Sequence, residues 1–137
     1  MADLSVILIH GNRNWGGGEE QLMLLADGLA RRSLPFIILT ETGGKLDTLA
    51  RKKGYRVEGR QYATMLDWQN IAGNGRFVLH AHDSRSIDTG RKLSKRLNAP
   101  LVASRKIMSP LRTNFFSRHK YSAKSISAFI AVSESVA

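Results

Sequence analysis

"SVILIHGNRNWGGGEEQLMLLADGLARR" (residues 5–32) sets the terms for the whole chain. It opens on "SVILIH" (5–10), an unbroken apolar and β-branched run of the kind found in strands buried on both faces. It closes on a helical pattern over 18–32, with Leu22, Leu25, Ala26 and Leu29 on one face. Glu19 and Glu20 in the first turn and Arg31 and Arg32 in the last complement the helix dipole. Between the two lie Gly16, Gly17 and Gly18. Glycine frees the backbone to turn, and it also lets a ligand come against the peptide plane. The N–H groups and dipole of a helix start attract anions, phosphate above all. A plain turn and a phosphate-facing loop are the two readings of these glycines.

The alternation continues along the chain. Pro35 introduces a strand "FIILT" (36–40), followed by a helix at about 44–53 with Leu46, Leu49 and Ala50 inward and Gly54 as its stop. "YRVEG" (55–59) is short and alternating, as expected near the edge of a sheet. Residues 62–72 fit a short helix around Met65–Ile71, closed by "GNG" (73–75). "RFVLHAH" (76–82) is a strand, and about 85–97 a helix with Ile87, Gly90, Leu93 and Leu97 on one face. "LVAS" (101–104) is the fifth strand, a helix near 115–124 follows a basic loop, and "AFIAVS" (128–133) is the sixth. Strands alternating with helices predict an α/β fold: a Rossmann-like, doubly wound, mostly parallel sheet of about six strands with helices on both faces. Ligands of such sheets bind beyond the carboxyl ends of the strands. The segments falling there are 10–18, 40–44, 82–85, 105–108 and 133–134.

Composition narrows the function classes. The 137 residues suffice for one domain with a real core, and 42% hydrophobic content is ordinary for a globular protein. With no cysteine, disulfide and thiolate chemistry are excluded, and a reducing cytoplasm is the expected compartment. No apolar run approaches the roughly 20 residues needed to span a bilayer. "MADLSVILIHGNR" lacks the features of a signal peptide. The net charge of +10 is uneven. Residues 1–70 carry nine Lys/Arg against eight Asp/Glu, and 71–137 carry twelve against three. This asymmetry fits an anionic partner, whether nucleic acid, anionic lipid or phosphorylated substrate; it also fits a solvated basic face.

The familiar phosphate motifs are missing. No Gly-Lys-Ser/Thr occurs, so there is no P-loop, and the dinucleotide pattern G-x-G-x-x-G would require glycine where Gln21 stands. "HAHD" sets His80 and His82 on one side of a strand, with His82 at its carboxyl end. His10 also ends a strand, and Asp83 adjoins, so metal ligation is one reading. The hydrolase pattern H-x-H-x-D-H is absent, however, and a hydrogen-bonded core histidine is the expectation for His80. Asp83 is expected to cap the helix that starts near Ser84. No nucleophile–base pair marks a Ser or Cys hydrolase. Arg105, Lys106, Arg112, Arg118, Lys120 and Lys124 form a basic segment interleaved with Phe115, Phe116 and Tyr121. Such a segment suits stacking on nucleic-acid bases, docking on anionic membrane, or partial burial in the core.

Taken in order, "HG–GGxE–LAxxLARR–T–GGKLDTLARKKG" and then "VLHAHDSRS…APLVASRK…KY…IAVSESV" resemble the N-terminal domain of glycosyltransferase family 4, the retaining GT-B enzymes. The resemblance spans essentially the whole chain. It implies a glycosyltransferase moving a sugar from a nucleotide-sugar to a glycolipid or cell-envelope glycan, such as a phosphorylated lipopolysaccharide core. It implies that Gly16, Gly17 and Gly18 line the donor's phosphates and sugar, and that His82 stands beside the reacting sugar as the catalytic residue. Asp83, Arg85, Arg105 and Lys106 would meet the acceptor. The nucleotide-sugar enters as substrate, with no cofactor or metal expected. The second GT-B domain, which holds most of the nucleotide, is absent from residues 1–137, so this acceptor-side half is expected to be inactive alone. It is expected in the cytoplasm, on the inner face of the membrane if the basic segment docks there.

Two other functions remain open at this stage. One is a non-catalytic Rossmann-like module binding a nucleotide cofactor, in which Glu41 would meet a ribose hydroxyl. The other is nucleic-acid binding through the basic second half, the less expected partner.

Overall fold

The computed structural model describes residues 4–11, 17–63, 66–68, 75–107 and 128–133. Six strands form one sheet: β1 (Leu4–Ile9), β2 (Phe36–Thr40), β3 (Val57–Gly59), β4 (Arg76–Ala81), β5 (Leu101–Ile107) and β6 (Ala128–Ser133). Their order is β3-β2-β1-β4-β5-β6, and every pairing is parallel. This is the doubly wound arrangement, reversing direction between β1 and β4. The short strand "VEG" sits at an edge, as its length and alternation predict.

Three helices are described: α1 (Gly17–Arg31), α2 (Lys45–Lys52) and α3 (Ser84–Leu97). Successive β1 residues go to opposite faces of the sheet. Leu8 joins Leu22, Met23 and Ala26 of α1 and Leu46 and Ala50 of α2 in one core layer. Ile7 and Ile9 join Ile87 and Leu93 of α3, with Leu79 and Leu101, in the other. Both layers are closed to water, which is why β1 and β2 read as continuous apolar runs. The sheet is thus covered on both sides. Among the described residues no helix is long and apolar enough to cross a membrane.

Local signals in the sequence account for most boundaries. Gly54 takes φ +83° and donates its N–H to the Arg51 carbonyl, ending α2 in the left-handed region where glycine is unstrained. Asn98 does the same for α3, at φ 50°. Gly90 lies where a Cβ would come within 2.8 Å of Leu101, so its bare backbone lets α3 approach β5.

Three boundaries differ from the sequence reading. α1 begins at Gly17, so Gly17 and Gly18 belong to its first turn and do not precede it. β5 runs to Ile107, three residues past "LVAS", because it continues to pair with β6: Arg105 opposite Ala131 and Lys106 opposite Val132. These two basic residues therefore lie within the strand and not in a loop after it. Residues 60–62 form a turn of 3₁₀ helix directly after β3. The helices expected near 115–124 and across most of 65–71 lie outside the described residues.

Candidate functional site

The site lies at the carboxyl ends of β1 and β4, where the winding reverses. His10 follows β1, and His82 and Asp83 follow β4. The two strands run side by side in register, Ile9 opposite Ala81, and the His82 N–H donates to the Ile9 carbonyl at 2.9 Å. Sheet geometry alone therefore brings together two segments more than seventy residues apart.

Asp83 ties them. It is the N-cap of α3, its carboxylate accepting from the Ser86 N–H at 2.9 Å, while the Ser86 hydroxyl accepts from the Asp83 N–H at 3.2 Å. This reciprocal box satisfies two otherwise unpaired groups at the helix start. The same carboxylate accepts from the Gly11 N–H, at 3.1 and 3.0 Å to its two oxygens. The expectation of a helix cap is met, and the bond to Gly11 is an addition that the sequence did not announce.

Gly11 is glycine for a steric reason. A Cβ there would stand 2.6 Å from the Arg85 Cβ and 3.2 Å from the backbone of Arg85 and Ser86. The end of β1 thus lies flat against the first turn of α3. Arg85 is exposed at that turn.

His10 is buried, with 2% of its surface exposed, and its Nε2 lies 3.1 Å from Glu19 Oε1 and 3.6 Å from Asp83 Oδ2. Two carboxylates around one ring nitrogen are acceptors only, so that nitrogen carries a proton. Glu19 is itself buried in the first turn of α1, whereas Glu20 is exposed. The His10–Glu19 contact joins the end of β1 to the first turn of α1. Glu19 went unrecognised in the sequence because an acid in a first helical turn is ordinarily only a dipole partner. The sign that would have found it is the pairing of a strand-ending histidine with an acid on the following helix.

His80 and His82 stack, ring centroids 3.9 Å apart and planes 28° from parallel. His80 Nε2 shares a hydrogen bond with the Ser104 hydroxyl, as expected of a packed histidine. Burial pushes the His80 pKa down to about 4. Burial also holds His82 well below the usual histidine range, with the neighbouring imidazoles of His80 and His10 adding to the effect. Both rings are therefore neutral at pH 7. His82 Nε2 is shielded from solvent and has no hydrogen-bond partner among the described residues. A buried polar atom without a partner carries a free-energy cost that an incoming ligand group would relieve.

The structure thus brings His82, Asp83 and Arg85 to one end of the β1–β4 pair, with Gly17 and Gly18 starting the helix that carries Glu19. Gly16 lies outside the described residues. For Arg105 and Lys106 the backbone is placed, one strand further along, in β5. Glu41, after β2, is held by Arg60 at 2.7 Å. Among the described residues no group of three His, Asp or Glu side chains is arranged to hold a metal ion.

No protein-family model matches the chain. No curated protein sequence matches it either. Solved structures do match, by shape. Anabaena HepE in complex with UDP superposes with a TM-score of 0.67 at 16% identity, over 91% of this chain and 36% of its own. HepE in complex with UDP-glucose gives 0.56 at 17% identity, over 73% and 28%. MurG of Acinetobacter baumannii gives 0.63 at 8% identity, over 93% and 40%. A structure of MT0777 gives 0.69 at 11% identity, over 95% of this chain and 86% of its own. At such identities the likeness is one of fold: Rossmann-like, of the kind found in GT-B glycosyltransferases. The chain spans about a third of the length of HepE.

Proposed function

We propose that the chain is the N-terminal, acceptor-side domain of a glycosyltransferase that moves a sugar from a nucleotide-sugar to a glycolipid or cell-envelope glycan. The observation that carries this reading is the buried and neutral His82 Nε2, without a hydrogen-bond partner among the described residues, at the switch point of a GT-B-like sheet. A neutral imidazole accepts or donates one hydrogen bond according to its tautomer, which suits a sugar hydroxyl. The HepE complexes with UDP and UDP-glucose lend support for a uridine nucleotide-sugar as donor.

On this reading the residues divide the work. The first turn of α1, bare of side chains at Gly17 and Gly18, turns its backbone N–H groups to the donor's pyrophosphate. His82 orients a hydroxyl of the reacting sugars. Asp83 holds the Gly11 backbone and the start of α3 in place, so that both strand ends keep their geometry. The transfer retains anomeric configuration, as in family 4, and requires no metal. The second GT-B domain binds most of the nucleotide, so residues 1–137 alone have no turnover. The basic segment 105–124 docks the enzyme on anionic membrane where lipid-linked acceptors lie, each Lys or Arg near the surface contributing about 1 kcal/mol.

The test is UDP release from UDP-sugars by the complete enzyme, joined to its second domain, compared with the same protein carrying His82→Ala. Turnover that falls by at least tenfold in the variant supports the reading. Unchanged turnover, or turnover by the 137-residue chain alone, rejects it.

A second reading has one observation in its favour. MT0777 is matched over 86% of its length, so a fold like this also makes up nearly an entire chain. The alternative is a self-contained module binding a nucleotide cofactor. Against it, the Glu41 carboxylate that would meet a ribose is engaged by Arg60. Titration with NAD and NADP separates the two readings.

A further inference from the structure

At the same carboxyl edge of the sheet as His82, but on the side of β3, a cavity of about 240 Å³ lies between the 3₁₀ turn after β3 and the middle of α3. Among the described residues it is lined by Arg60, Gln61, Ala63, Thr89 and Lys92. Two of these five carry positive charge, and two more offer an amide and a hydroxyl. Thr89 and Lys92 are three residues apart on α3 and so share the helix face turned to the cavity.

Arg60 is held in place at the cavity's edge. One terminal nitrogen donates to Glu41 Oε1 at 2.7 Å and the other reaches Thr89 Oγ1 at 3.5 Å. Its Nε–H is shielded from water and has no acceptor among the described residues. Glu41 balances one of the two cations. Lys92, exposed on α3, has no carboxylate partner among the described residues. Among the described residues the cavity therefore combines a pre-oriented guanidinium, a donor without an acceptor and an ammonium without a carboxylate partner. It is smaller than a typical drug-sized pocket of roughly 300–1,000 Å³, which suits one charged group and part of its carrier.

We propose that this cavity is a binding site for an oxyanion, the phosphate or carboxylate of a small sugar-like molecule, held by Arg60 and Lys92 with Gln61 and Thr89 as hydrogen-bond partners. Guanidinium and ammonium groups together make charge-assisted bonds to such oxygens. The site stands on its own geometry. Under the sugar-transfer reading it receives the charged group of the acceptor, but its test needs no turnover, so the two ideas fail separately.

Trp68 supplies the readout, because its indole N–H donates to the carbonyl of Ala63 in the cavity wall at 2.8 Å. The 137-residue chain, isotopically labelled, is titrated at pH 7 and constant ionic strength with inorganic phosphate, glucose 6-phosphate, glucuronate and neutral glucose. The expected result is a saturable shift of the Trp68 indole resonance with the anions and none with glucose. The stronger of glucose 6-phosphate and glucuronate identifies the phosphoryl or the carboxylate as the natural group. Lys92→Glu weakens binding at least tenfold with an unchanged unfolding midpoint, whereas Lys95→Glu, on the same helix, changes it less than threefold. Glu41→Gln tightens binding several-fold by removing the internal competitor. An absent shift, an equal response to glucose, or unchanged affinity in Lys92→Glu overturns the proposal.

Discussion

The backbone N–H of Gly11 points at the carboxylate of Asp83, 3.1 and 3.0 Å from its two oxygens, across a separation of 72 residues. That same carboxylate caps α3 through Ser86. One side chain therefore fixes the end of β1, the end of β4 and the start of α3.

Asp83→Ala should lower stability by about 2–3 kcal/mol, the sum of a lost helix cap and a backbone donor left without its acceptor. Asp83→Asn, which keeps one acceptor oxygen, should recover more than half of the loss. Urea unfolding read by tryptophan fluorescence checks both, with the slope of the transition unchanged.

Gly11→Ala should cost about 1–3 kcal/mol, because the new Cβ meets Arg85 and Ser86 backbone that cannot swing aside. Gly54→Ala has open space around it and is strained only by its φ of +83°. Its cost should be nearer 1 kcal/mol. A ranking reversed from this in thermal unfolding would contradict the close approach of β1 to α3.

These two glycines show how far the sequence speaks for itself. Gly54 is legible, standing where an amphipathic pattern ends. Gly11 is not, because its reason is a helix that lies far along the chain. Likewise "SVILIH" and "FIILT" announce strands buried on both faces, and the sheet forms as they predict. Arg105 and Lys106 read as the end of a strand because charges are poor strand signals. Pairing with Ala131 and Val132 of β6 carries the strand through them. The same limit applies at the site: His82 is marked by its position after a strand, while Glu19 gains its meaning only from the burial of His10 beside it.

His80 yields a pH dependence with a definite sign. Its pKa is about 4 in the folded chain against an ordinary value of 6.5, so between these values the unfolded chain binds more protons. Stability must then rise with pH through that window. It is fully present above about pH 6.5 and is lost as pH falls towards 4. His82, shifted in the same direction, adds to the slope. Replacing His80 with Asn should flatten the stability profile between pH 6.5 and 4 by an amount on the order of 2 kcal/mol. Urea midpoints measured at half-unit steps of pH test this; equal slopes in both proteins would refute it.

Glu19→Gln should destabilise the chain by about 1–2 kcal/mol, as a hydrogen bond from His10 to a carboxylate is replaced by one to a neutral amide. Hydrogen exchange of the first-turn amides of α1 should quicken by at least tenfold, while that of α3 stays unchanged. Equal acceleration in both helices would mean that the contact merely supports the fold and does not tether α1 to β1.

The strand order has a kinetic meaning as well. β1 and β4 are neighbours in space, yet the whole of β2, β3 and their helices is threaded between them. The first β-α-β-α-β unit can collapse through short-range contacts, as can β4 with β5, but β4 must close a loop of about seventy residues before it gains a ladder bond to β1. His10 and Asp83 meet only after that late event. The constellation is consequently absent from any partly folded chain in which β4 has not yet docked on β1.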